Sequence, residues 1–144
     1  MKSTEFMIGD WVCVPVLNRK NCKVVLVANT HVAVETDSTY IPMIYNVEPI
    51  PLTADILKAN GFNYTEQKEE GLVWERFTIY DNLGDLEVDL ISQKNCPNYG
   101  VDIGGYYGFY QSNGDEFHYV HELQHALRLC GIDKEIIMPN TQES

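Results

Sequence analysis

The chain has 144 residues, the size of one compact domain or of two very small ones, which excludes a large multidomain enzyme. With 44% hydrophobic and 11% aromatic residues it can bury a proper core, and 22% charged residues is ordinary for a soluble globular protein, so wholesale disorder is excluded too. Twenty-one Asp and Glu against ten Lys and Arg leave a net charge of −11, which repels phosphate backbones at long range and weighs against nonspecific nucleic-acid binding.

In chain order, residues 1–6 show no apolar core of signal-peptide length, and the longest all-apolar run, residues 24–28, is far short of the about 18–20 residues of a membrane span. A cytoplasmic protein that neither enters nor crosses a membrane is the expectation. Residues 11–17, 22–28, 31–35 and 45–50 are rich in Val and Ile and are separated by polar turns such as Asn18-Arg19-Lys20 and Asn29-Thr30. So many short strands predict a small curled sheet or SH3-like barrel over residues 1–50. The run 24–28, apolar at every position, suits its central strand, buried on both faces.

Pro49 and Pro51 are expected to break this sheet. Thr53 then offers an N-cap for a helix reaching about Asn60, with Gly61 beyond its end, a staple between Leu52 and Leu57, and Asp55 and Lys58 placed to suit the helix dipole. Strand character returns at residues 72–80, 86–92 and 106–111, and Asn113-Gly114 predicts a hairpin turn into residues 116–119. Residues 66–70, 81–84 and 95–105 read as connections. A last helix over residues 120–130 ends at Gly131, and residues 140–144 read as a tail. The fold class predicted is α+β: a barrel-like part over 1–50, then an antiparallel sheet flanked by two helices over 51–139.

His121-Glu122-Leu123-Gln124-His125 matches H-E-x-x-H on a predicted helix. In a zinc-dependent hydrolase, His121 and His125, one turn apart, would hold the metal, and Glu122 would act as general base on the bound water. Its surroundings argue against that chemistry. An apolar stripe of Val120, Leu123, Ala126, Leu127 and Cys130 predicts that both histidines face solvent beside Arg128, whose charge disfavours a divalent cation. Arg128 and Gly131 stand where the extended zinc motif wants Gly and His. A third ligand would have to come from Glu116, His118 or the strand bearing Asp85, Glu87 and Asp89, whose alternation with Leu86, Val88 and Leu90 predicts a solvated carboxylate face. Cys13, Cys22, Cys96 and Cys130 form no C-x-x-C pair and read as reduced, mostly buried thiols. The aromatics Tyr106, Tyr107, Phe109 and Tyr110 suit hairpin strands better than a stacking site.

Two blocks carry a resemblance: Glu48-Pro49-Ile50-Pro51-Leu52-Thr53 with Ile56-Leu57 and Gly61-Phe62, and Tyr119-Val120-His121-Glu122-Leu123-Gln124 with Ala126-Leu127. Together they resemble uncharacterised small proteins of Bacteroides-type gut bacteria, often found in prophage or conjugative-element neighbourhoods. In that family the second block commonly has Gln in place of Glu122 and Asn in place of His125. The resemblance thus implies no zinc site, and it brings no activity, cofactor or catalytic residue with it. The expected function is a noncatalytic cytoplasmic interaction or accessory protein, without a cofactor, whose acidic surface meets a protein partner. A zinc hydrolase is the first alternative, and an acidic mimic of DNA the second.

Overall fold

Among the described residues, alternating apolar residues pair into two antiparallel sheets, accompanied by two short α-helices. The computed structural model describes residues 5–36, 41–81, 83–84, 86–105, 110–111 and 116–139. The chain divides into two units. One holds the residues up to Ile50 together with Tyr119–His121, and the other holds Pro51–His118 and Glu122–Pro139.

In the first unit β1 (Trp11–Val14), β2 (Arg19–Val27), β3 (Val32–Val34), β4 (Met43–Ile44) and β5 (Glu48–Pro49) form one sheet in the order β4-β3-β2-β1-β5. The first predicted strand stops early, because Pro15 opens a 3-10 turn over Pro15–Leu17 that closes on Asn18 with φ 54°. Proline's fixed φ and missing N–H favour a turn there. Register irregularities between Val12 and Val14 and between Val24 and Leu26 curl the sheet. Its concave side buries Phe6, Val12, Val14, Cys22, Val24, Val32, Val34, Ile44 and Val47. Two expectations change here. β2 is the central strand, but only one of its faces is covered: Leu26, opposite Ala33 on the outer face, is 47% exposed. Pro49 does not break the sheet but sits in β5, an edge strand that pairs only with β1 and can do without one N–H.

The second unit begins with α1 (Ala54–Ala59), capped by Thr53, whose hydroxyl accepts the Ile56 N–H at 3.2 Å. Gly61 follows with φ 82°, and Leu52, Ile56 and Leu57 are buried. The buried Asn60 amide donates to the carbonyls of Ile56 and Ile137 and accepts the Ile137 N–H. That fixes the segment carrying the buried residues Ile132, Ile136 and Met138. Next come β6 (Asn63–Glu69), β7 (Leu72–Tyr80), β8 (Leu86–Gln93) and β9 (Tyr99–Gly105), an antiparallel meander extended by β10 (Tyr110–Gln111) and β11 (Glu116–Phe117).

β6 and β9 lie largely where connections were expected, and β9 overturns the predicted hairpin. β10 pairs with the end of β9 and β11 with its beginning, so the two do not pair with each other. The turn Asn113-Gly114 lies outside the described residues. The inner face of the sheet buries Phe77, Val88, Leu90, Tyr99 and Val101, whereas Trp74, Arg76, Thr78, Glu87, Asp89, Ile91 and Asp102 share the outer face by register. The chain then enters α2 (Val120–Leu129), which ends before Gly131 at φ 74°. No helix among the described residues is long and apolar enough to cross a membrane.

Candidate functional site

The three polar residues of the H-E-x-x-H motif have different surroundings. His121 is only 4% exposed. Its ring lies 4.8 Å from that of Phe6 and stacks on Tyr119 at 5.9 Å. The expectation that His121 faces solvent beside Arg128 is therefore wrong. The buried arc of α2 runs through Val120, Leu123, Leu127, Gln124 and His121, while Ala126 and Cys130 are only half-buried. It is rotated by roughly 70° from the apolar stripe toward His121, because aromatic rings cover the imidazole. His125 is half-buried, and Arg128 is exposed.

Glu122 Oε1 accepts the His118 backbone N–H at 2.7 Å, just before the helix. This carboxylate satisfies a backbone donor just before the helix and sits favourably near its positive end. One oxygen of the carboxylate suited to general-base work is thus engaged by the backbone. Of the other candidate ligands, His118 Nε2 and Glu116 Oε1 lie 3.7 Å apart. Among the described residues no three His, Cys, Asp or Glu side chains come together to hold a metal ion.

The carboxylate strand also departs from expectation, because Asp89 is not solvated but 6% exposed. Its two oxygens accept hydrogen bonds from Arg76 Nη2 and from the Thr78 hydroxyl, each at 2.5 Å. Glu87 is half-buried, and Asp85 lies outside the described residues. Burial alone would raise the pKa of Asp89, but the hydrogen bonds from Arg76 and Thr78 outweigh it and hold the group below its ordinary value. Glu87, hydrogen-bonded to Asp89 and partly desolvated, is shifted upward. On the opposite face the Tyr64 hydroxyl donates to the buried Glu75 at 2.8 Å, which pushes the tyrosine pKa up to about 12. The four cysteines are free thiols, but only Cys22 is buried and Cys96 is exposed, against the expectation that most would be covered.

Outward from Asp89 the sheet holds a concavity that the sequence did not announce. A cavity of about 410 Å³ opens on the outer face, with Trp74 of β7, Ile91 of β8, Gly100 and Asp102 of β9, Glu116 of β11 and Cys96 of the β8–β9 loop in its wall. Gly100 leaves this hollow: a Cβ there would meet only the Ile91 carbonyl oxygen, at 3.6 Å. The loop is built rather than slack. The buried Ser92 hydroxyl binds the carbonyls of Gln93 and Cys96, the Cys96 N–H returns to Gln93, and the Lys94 N–H bonds Val73. One sequence signal was available, since Tyr99, Val101 and Ile103 alternate with Gly100, Asp102 and Gly104 at a strand period. No family model matches the chain, and no curated protein or solved structure matches it either.

Proposed function

We propose that the protein is a noncatalytic interaction module that seats a segment of a partner protein in the cavity on the outer face of its larger sheet. The observation that carries this reading is the cavity itself, an apolar hollow between Trp74 and Ile91 with a few polar groups at its edge and a loop already tied in place. Its volume lies at the low end of the roughly 300–1,000 Å³ of ligand pockets, enough for one long side chain and the backbone around it. The motif residues weigh the same way. His121 is enclosed by aromatic rings and one oxygen of Glu122 is engaged by a backbone N–H, arrangements that suit structure better than water activation. The curled five-stranded sheet supports reading the first unit as SH3-like, and the resemblance of the two sequence blocks supports an accessory role in a mobile element, acting in the cytoplasm.

The test uses the full chain with a photo-crosslinking residue in place of the exposed Gln93 at the cavity wall, expressed in a Bacteroides-type host. Irradiation is expected to join it to a discrete protein, and Gly100→Leu, which fills the hollow without straining the backbone, is expected to abolish the adduct while circular dichroism stays unchanged. Adducts that survive Gly100→Leu, or none at all, would count against this reading.

A further inference from the structure

We infer that the cavity takes an arginine side chain of the partner, with the guanidinium laid on Trp74 and paired with Asp102; this rests on the cavity being the binding site. The argument starts from register. Asp89 and Asp102 stand directly opposite each other on adjacent strands and share the outer face. Like charges in that relation repel, unless each finds a cation. Asp89 has one within the chain, in Arg76, with Thr78 on its other oxygen. Among the described residues no hydrogen bond or ion pair reaches the half-buried Asp102 carboxylate, which faces the cavity.

In the wall of the same hollow stand the Trp74 side chain and a second carboxylate, Glu116. An aromatic wall with carboxylates beside it fits a planar, weakly hydrated cation better than a neutral or acidic group. Arginine stacks on tryptophan while its fork engages a carboxylate, which the compact, strongly hydrated ammonium of lysine does less well. The occupant would repeat for Asp102 what Arg76 does for Asp89. The net charge of −11 adds long-range attraction for a basic segment, raising its rate of encounter.

The experiment titrates the full-length ¹⁵N-labelled protein with three capped Gly/Ser heptapeptides whose central residue is arginine, citrulline or lysine, read by NMR. The arginine peptide is expected to shift the Trp74 indole N–H and the Gly100 and Asp102 amides saturably, leaving the Trp11 indole in place. The lysine peptide should bind more weakly, and the neutral citrulline peptide should produce no saturable shift. Asp102→Asn should weaken the arginine peptide by about tenfold while the rest of the spectrum keeps its positions. Equal shifts with arginine and citrulline, unsaturable shifts spread over other carboxylates, or no movement of Trp74 would each overturn the inference. The partner crosslink separates its failure from that of the underlying reading. An adduct lost in Gly100→Leu but kept in Asp102→Asn would leave the cavity as the binding site and remove the arginine, whereas an adduct indifferent to Gly100→Leu would remove the site itself.

Discussion

Two neighbouring carboxylates on one strand have opposite effects on the fold. The pKa of Asp89 is held below its ordinary 3.8, so its contribution is fully present above that pH and is lost as pH falls through the folded value. The pKa of Glu87 is raised above its ordinary 4.5, so the fold favours its protonated form, a contribution present below that pH and lost as pH rises through the folded value. Asp89→Asn is expected to lower stability at pH 7 by about 1–3 kcal/mol, because two hydrogen bonds to a buried charge are weakened, and the difference from the parent should close below pH 3.8. Glu87→Gln should hold or slightly raise the urea midpoint at pH 7. Unfolding curves from pH 3 to pH 7 check both signs. The motif histidines allow a similar contrast. His121→Ala removes a ring packed between Phe6 and Tyr119 and should cost about 2–4 kcal/mol, whereas the half-buried His125→Ala should stay within about 1 kcal/mol. Equal losses, measured by urea denaturation, would contradict the difference in burial.

Among the elements, β6 and β7 meet in a turn whose two central residues, Glu70 at φ 50° and Gly71 at φ 81°, are both left-handed, the pattern of a type I′ hairpin. Glycine adopts this freely and asparagine tolerates it, but glutamate carries a Cβ that the conformation penalises. Glu70→Asn is therefore expected to raise the thermal midpoint, by up to about 1 kcal/mol in stability, with unchanged secondary structure by circular dichroism. This turn also shows what could be read in advance and what could not. α1 and β7 were legible because independent signals agreed: cap, buried Leu57 and terminating glycine for one, and a long β-branched and aromatic run for the other. β6 was not legible. As an edge strand with both faces largely in solvent it needs no apolar alternation, and its order comes from the hydrogen bonds of β7. β9 was hidden by its glycines, of which Gly100 lies on the outer face and opens the cavity there. The length of α2 was legible, but its buried arc was misplaced, because side-chain hydropathy alone does not reveal that Phe6 and Tyr119 would cover a histidine. The candidate cavity was the least legible of all, since it depends on register across β7, β8, β9 and β11, which no local pattern records.

At the scale of the whole molecule the charge imbalance decides the response to salt. The pairs with both partners solvated, Arg76 with Glu87 and Lys94 with Glu66, stabilise by no more than about 1 kcal/mol each. Screening them costs little. The other side of the balance is larger in number, with 21 acidic residues against 10 basic ones repelling one another throughout the folded chain. Raising NaCl from about 10 mM to about 0.5 M shortens the Debye length from roughly 30 Å to a few ångströms and should relieve that repulsion more than it weakens the pairs. The urea midpoint is therefore expected to rise with salt, urea being chosen because guanidinium would itself screen. Over the same range, affinity for the arginine peptide should fall, since its encounter is driven by the same field. A urea midpoint that drops as salt is added would mean that the paired charges, not the excess of carboxylates, govern the stability of this fold.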